Sequence, residues 1–498
     1  QAAPLLTSQS RLWITENGAG PGNAPVYQGR ARATQPTISA GQLTAIREPS
    51  NSQYGQFVTV GVQRGAPDLP TVTFESRNDP TTISQFLRLM NRRCEFDAQV
   101  HFGNCQDPQD FTNGWDFVRI FEQIEPSNWQ GGDQGAFDES QEAVMVETLD
   151  VAAQRIYDVK SLRAGEVASN EITDEVVDVL ICDSVTCGQC GRTSDGCQIV
   201  FILVGGSSGS PGLPPELIYS QDGGATWGTT NITTLGLAEA PSAMHCVGTN
   251  LVIVSNDSGS LHYASINDIL DGNEAWSEAT SGFDGSGPPN AITSVARDRT
   301  WIAGDGGRVY SATDPTSGVT EQADGSQTGE DLSAIHALDR NNVVAVGANN
   351  AVLATANAGT TWTLVIGPTP GVDLTSVVMR SANEWLVGTA GGELWYTTNG
   401  GSTWSQKGFP GSGSGSVNAL AFASRSVGYM AHALNGVGRV LRTIDGGFSW
   451  VLLPEEAGQT LPDNDRINAL APCVDDPNIV FAAGLGADGS DGFAVKFS

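Results

Sequence analysis

Across the last two-thirds of the chain, short apolar runs recur between Gly-, Ser- and Asn-rich breaks. ITSV (292–295), LTSVV (374–378), VNALAF (417–422) and INALA (467–471) alternate apolar with polar or small residues, as half-buried strands do. A second run ends near Gly in WIAG (301–304), VVAVG (343–347) and WLVG (385–388). A third run, RVYSA, AVLAT, ELWYT or RVLRT, leads into a polar box, and a fourth begins at or just after the Trp that ends the box. Four short strands per repeat, joined by tight turns, predict the blade of a β-propeller.

The box sets the period. Its template, S/T-x-D/N-x-G-x-T/S-W, places Asp222 with Trp227, Asn357 with Trp362, Asn399 with Trp404, and Asp445 with Trp450. Degenerate copies start at Ser265 and Ser311, so the six copies start at 220, 265, 311, 355, 397 and 443, between 42 and 46 residues apart. Asp or Asn at the third place accepts N–H groups of its own turn, Gly supplies positive φ, and Trp wedges between blades. These eight residues are therefore expected to be structural. A seventh unit, INALAPCVDD (467–476), IVFAAGLG (479–486) and GFAVKFS (492–498), stops after three strands. The missing outer strand is expected from just before the first blade, around YDVKSL (157–162), with blade 1 opening at EVVDVLIC (175–182).

The first 165 residues lack the repeat. RLWITENGAGPGNAPVYQGRARA (11–33) is Gly- and Pro-rich and predicts an extended arm or long loop. FVTVGVQR (57–64) and TVTFESR (71–77) alternate as strands, and CEFDAQVHFGNC (94–105) predicts another. TTISQFLRLMNRR (81–93) carries Ile83, Phe86, Leu87 and Met90 at i, i+3, i+4 and i+7, the clearest amphipathic helix of the chain. The expected fold is mainly β, with an N-terminal β-sandwich and one flanking helix over 1–165, then a seven-bladed propeller over 166–498.

Composition agrees and excludes other classes. With 60 Gly and 24 Pro in 498 residues, long helices are disfavoured. No apolar run reaches the roughly 20 residues of a membrane-spanning helix. No signal peptide is visible, and the chain opens at Gln1, as it would after removal of a leader. The net charge of −30 disfavours a broad phosphate-binding surface, and only three of the 25 basic residues are Lys. It suits a soluble surface, or a wall past which a polyanion slides without sticking.

Cys182, Cys187, Cys190 and Cys197 crowd into one loop with C-x4-C-x2-C-x6-C spacing, which suits either a structural metal or disulfides. Cys182 and Cys473 share a register in blades 1 and 7 and would approach each other at ring closure, although separate thiols are the commoner outcome. His245 and His336 occupy equivalent places in SAMHC and SAIHA, where a propeller interior explains them better than a metal pair. No HExxH, GxSxG or phosphate loop is present, so no catalytic residue and no bound cofactor are expected.

The boxes match the Asp-box (BNR-type) motif, a resemblance covering roughly residues 172–498. That family includes sialidases, which use three convergent Arg; here the Phe-Arg-Ile/Leu-Pro signature is absent, and Arg297, Arg299, Arg308, Arg380, Arg439 and Arg442 are scattered. The strand pair GQFVTVGVQRGAPDLPTVTFESR, the helix after it and AQVHFGNCQDPQDFTNG make residues 1–165 resemble tail-tube proteins of long-tailed phages. That resemblance implies a non-enzymatic virion subunit, assembled in the host cytoplasm, whose hexameric rings stack into a tube beside other tail proteins. DNA would pass the acidic lumen unbound, and the propeller would be an outer decoration, with host surface glycans as a ligand. The rival readings are a non-viral propeller that holds a partner, resembling photosystem II assembly factors, and a glycan-binding or glycan-hydrolysing propeller.

Overall fold

A computed structural model describes residues 11–498 apart from 34–42, 50–56, 65–69, 79–88, 91–94, 104–114, 134–144, 167–171, 183–198, 206–214, 233–240, 256–260, 284–286, 296–298, 454–465, 487–491 and a few single positions. The chain divides into two compact units, one formed largely by residues up to Ser161 and the other by Leu162–Ser498.

Among the described residues the first unit has eight strands: β1 (Arg11–Glu16), β2 (Val26–Ala33), β3 (Leu43–Pro49), β4 (Phe57–Arg64), β5 (Thr71–Asn78), β6 (Phe96–Gly103), β7 (Trp115–Asp133) and β8 (Met145–Val159). Six of them close into a barrel in the order β1-β2-β5-β8-β7-β6. The expected β-sandwich is thus corrected to a barrel. Its two long strands, β7 and β8, pair over most of their length and bend at two register shifts, which lets one sheet curl onto itself. The expected arm at 11–33 is corrected as well. Leu12 and Ile14 alternate into the barrel core beside Phe74, Phe121 and Leu149, so the segment on either side of its Gly/Pro turn is strand. Of the expected helix, Leu89 and Met90 are helical and lie against that core, and 81–88 and 91–93 fall outside the described residues. Strands β3 and β4 form a separate two-stranded hairpin.

Among the described residues the second unit is seven four-stranded sheets. Their inner strands are Val176–Cys182, Pro241–Val247, Pro289–Val295, Leu332–Ala337, Leu374–Met379, Ser416–Phe422 and Arg466–Pro472. Within the first six blades the strands run in sequence order, as adjacent antiparallel pairs. Blade 7 is completed by β9 (Ala164–Glu166), which pairs with Gly492–Phe497 through Lys496 and Gly165. Closure comes a few residues later than the sequence suggested, because Tyr157–Val159 are consumed by β8 of the barrel.

The core lies in the seams. Buried clusters join blade 7 to 1 through Phe481 and Ile202, blade 1 to 2 through Phe201 and Ile253, and blade 3 to 4 through Trp301 and Leu353. Each fully buried aromatic or aliphatic side chain of this size contributes about 1.5–3 kcal/mol. Ring rigidity therefore comes from apolar contacts distributed over many seams.

Candidate functional site

The box residues sit on the hairpin between the third and fourth strands of their blades. Asp222 Oδ1 accepts the backbone N–H groups of Ala225 (3.0 Å) and Thr226 (2.8 Å), and its Oδ2 accepts the Thr226 hydroxyl (2.6 Å). Asn357 and Asn399 accept from Thr361 N and Thr403 N at 3.0 and 2.9 Å, and Asp445 accepts from Ser449 N at 2.9 Å. The turn needs left-handed backbone, supplied in the first box by Gly223 (φ 71°) and Gly224 (φ 90°). Hydrogen bonds from Thr226 hold the Asp222 carboxyl down at about 2. Each Trp packs against the preceding blade, with Trp227 edge-on to Phe481 at 6.4 Å and Trp362 edge-on to Trp301 at 5.9 Å. Trp404 and Trp450 lie in the seams of blades 4–5 and 5–6.

A disulfide joins Cys182 to Cys246, with Cα atoms 6.7 Å apart. The expected loop set of four is corrected for Cys182. It ends the inner strand of blade 1, and its side chain faces Cys246 on the inner strand of blade 2. Cys187, Cys190 and Cys197 lie outside the described residues. Cys473, in the seam of blades 7 and 1, is buried there among Phe481 and Ile181 and is itself disulfide-bonded, so the expectation of separate thiols at 182 and 473 is corrected.

Sequence reasoning missed a device repeated around the ring. Every inner strand carries one register shift just after its first paired apolar residue, after Val176, Pro241, Pro289, Leu332, Leu374, Val417 and Ile467. In five of the blades the extra residue at the bulge is polar and reaches the next blade. Ser242 donates to Pro289 O (2.6 Å), Asn290 to Leu332 O (3.1 Å), Asn418 to Ile467 O (2.9 Å) and Asn468 to Val176 O (3.0 Å), and Thr375 donates to Val417 O. The signal was present in P-S-A, P-N-A, L-T-S, V-N-A and I-N-A, where one polar residue interrupts the first apolar positions. Asp178 makes a further inter-blade bond, accepting Met244 N at 2.9 Å beside Val179 N at 2.9 Å. Burial pushes its carboxyl up to about 7, and these two N–H groups only partly offset that.

The same end of the ring carries the turns between second and third strands and the loops leading into the inner strands. Here carboxylates brace the turns, Asp331, Asp373 and Glu175 between neighbouring blades and Glu330, Asp305 and Glu393 within one blade. Asp331 accepts Gly306 N (2.9 Å), Asp373 accepts Asn349 N (3.0 Å), and Glu330 accepts the Asn349 side chain (2.8 Å). Glu175 accepts Asn468 Nδ2 (2.8 Å) with Arg466 3.6 Å away, Asp305 accepts Asn290 Nδ2 (2.6 Å), and Glu393 accepts Trp395 Nε1 (2.8 Å). Asp331 and Asp373 are exposed. Because their hydrogen bonds go to fixed backbone, these charges are held in place before any ligand arrives. Among the described residues, no cluster of three His, Cys, Asp or Glu could hold a metal ion.

Seven sheets closed into a ring by a strand from the other end define a seven-bladed β-propeller. Among solved structures it is similar to YCF48 from Cyanidioschyzon merolae, with TM-score 0.48 and 14% identity over 67% of this chain and 98% of that one. A structure of YCF48 bound to D1 peptide is similar at TM-score 0.48 and 15% identity, over 68% of this chain and 98% of the other. No protein-family model matches the chain, and no curated protein does. The likenesses concern fold alone.

Proposed function

We propose that the propeller is a non-enzymatic binding platform, whose acidic face of inner-strand loops holds a basic segment of a protein partner. The supporting observation is that Asp331 and Asp373 are exposed carboxylates pinned to the turns of neighbouring blades, with Glu175, Asp305, Glu330 and Glu393 on the same face. A preordered field of one sign steers an oppositely charged partner and fixes its register. Asn at 331 and 373 with Gln at 330 retains the acceptor oxygens and removes the charge. The full-length chain should bind a Lys/Arg-rich peptide more weakly as salt rises, and D331N/D373N/E330Q should lose most of that salt dependence. Equal, salt-independent binding by both proteins sinks the reading.

A second reading concerns the first unit, a self-assembling virion tail-tube subunit that carries the propeller as an exterior ornament. It rests on hairpin β3–β4, which among the described residues pairs only within itself. An isolated hairpin is marginal in water and gains by adding to another sheet. The barrel itself is closed, so strand addition would have to use the hairpin. Negative-stain images of purified protein should then show rings or tubes; dispersed monomers refute it. The glycan reading is tested by a glycan array with an assay for reducing-sugar release.

A further inference from the structure

Blade 4 holds the longest uncharged run of a strongly charged chain. Residues 341–372 contain no Asp, Glu, Lys, Arg or His, in a sequence of which 16% is charged. The run supplies the second, third and outer strands of the blade. Its outer strand, Thr363–Ile366, carries two of the four exposed large apolar side chains among the described residues, Leu364 (50%) and Ile366 (83%). The outer strands of blades 1, 2, 3, 5 and 7 read GTTN, SEA, TEQAD, SQK and AGE, all polar or charged. Natural sheets blunt an edge with charge or Pro, and TLVI has neither.

The hydrogen-bond phase of the blade fixes what this edge offers. Leu338 N–H donates to Asn342 O at 3.0 Å where the first strand turns into the second. Antiparallel ladders alternate, so counting pairs outward makes Val352–Val365 and Ala354–Thr363 the bonded pairs of the outer ladder. Leu364 and Ile366 therefore direct their backbone N–H and C=O groups away from the blade. Ile366 O agrees with that phase, because it accepts Trp404 Nε1 at 2.9 Å. Leu364 is left with an outward donor and an outward acceptor. Its side chain and that of Ile366 fall on the face of Leu353 and Trp362, whereas Val365 packs towards blade 5.

We propose that two copies of this chain pair through the blade 4 edge, antiparallel, about a two-fold axis at Leu364. Each Leu364 N–H donates to Leu364 O of the other copy, a closed exchange that uses the outward pair not engaged by Trp404. The same register sets Ile366 of each copy opposite Trp362 of the other, on the face shared by both Leu364 side chains. The exposed apolar side chains thus leave water together. Charge selects a second copy as the occupant. Two bodies of net charge −30 repel over most of their surfaces, and an uncharged strand is where they touch at least cost. A basic partner goes instead to the carboxylates of the inner-strand loops. An edge this short makes a small interface, so the dimer is weak and concentration-dependent.

Sedimentation velocity of the full-length chain, over a series of protein and salt concentrations, tests this. The dimer fraction should rise with protein concentration and rise again with salt, which screens the repulsion between copies. Basic-peptide binding at the acidic face responds to salt in the opposite sense, so the two readings fail separately. Ile366→Lys, at a side chain that the fold leaves in water, should give monomer under the same conditions with an unchanged circular-dichroism spectrum. Mild oxidation of Leu364→Cys should yield a cross-linked dimer above the background of the unsubstituted chain, because the axis brings the two sulfurs together. Ile366→Cys should not, since that register holds its two Cα atoms roughly 14 Å apart. A chain that stays monomeric at every concentration and salt overturns the assignment. So does a dimer that Ile366→Lys leaves intact, or cross-linking of Ile366→Cys as readily as of Leu364→Cys.

Discussion

Asn418 shows how a single polar side chain works in this ring. Its Nδ2 satisfies Ile467 O in the next blade, and its Oδ1 accepts the Ser416 hydroxyl at 2.6 Å. Asn418→Ala leaves a carbonyl in the seam unpaired, so a loss of about 1–2 kcal/mol is expected, measured as a lower midpoint in urea at unchanged slope. Asp178 gives the opposite sign of pH dependence from an ordinary paired carboxylate. Its folded value, about 7, lies above the ordinary carboxyl value of 3.8, so the folded state holds a proton that the unfolded state releases. Stability from this group is complete below the unfolded value and falls as pH rises from about 4 through 7. Asp178→Ala should flatten that slope in denaturation curves at pH 5 and 8, whatever it does to absolute stability. Neither residue was legible as functional. Asn418 reads as one polar position in an alternating strand, and nothing in DVL betrays a carboxylate aimed at the backbone of another blade.

The blades were legible because their period is dictated by turn chemistry. Asp222, Asn357, Asn399 and Asp445 mark the hairpins, and the fourth strands start directly after Trp227, Trp362, Trp404 and Trp450. Of the barrel strands, β1 and β2 were harder to read. Alternation in RLWITE is only six residues long and runs into ENGAGPGNAP, whose Gly and Pro outweighed it. Closure of the barrel is a long-range property of β7 and β8, and no local pattern announces it. At the ring seam, three residues of β9 complete the last blade. A chain starting at Leu162 should unfold in one cooperative transition, whereas one starting at Val167 should lose cooperativity and midpoint in thermal melts, because blade 7 then has an open edge.

At the scale of the whole molecule, net charge and topology act together. The charge of −30 lies on a scaffold whose blades are held by apolar seams, so charge is free to differ between faces without threatening the fold. Net charge could be read directly from the sequence, but which carboxylates meet at the inner-strand loops could not. Asp331 and Asp373 are far apart along the chain, and only the repeat geometry brings them to equivalent sites on neighbouring blades. His245 and His336 were recognisable as equivalent interior positions. What the spacing did not contain was what their rings meet, the backbone N–H of Cys246 at His245 Nδ1 and that of Met379 at His336 Nδ1.

The bridge between Cys182 and Cys246 makes one seam of this ring covalent, and mechanics should register it. When the molecule is stretched from its ends, the 64 residues spanned by that bridge cannot pay out, so about 23 nm of contour length stays hidden. Replacing Cys246 by Ser should release that length in single-molecule traces. A trace that is already full-length without reductant would mean the two sulfurs are not joined.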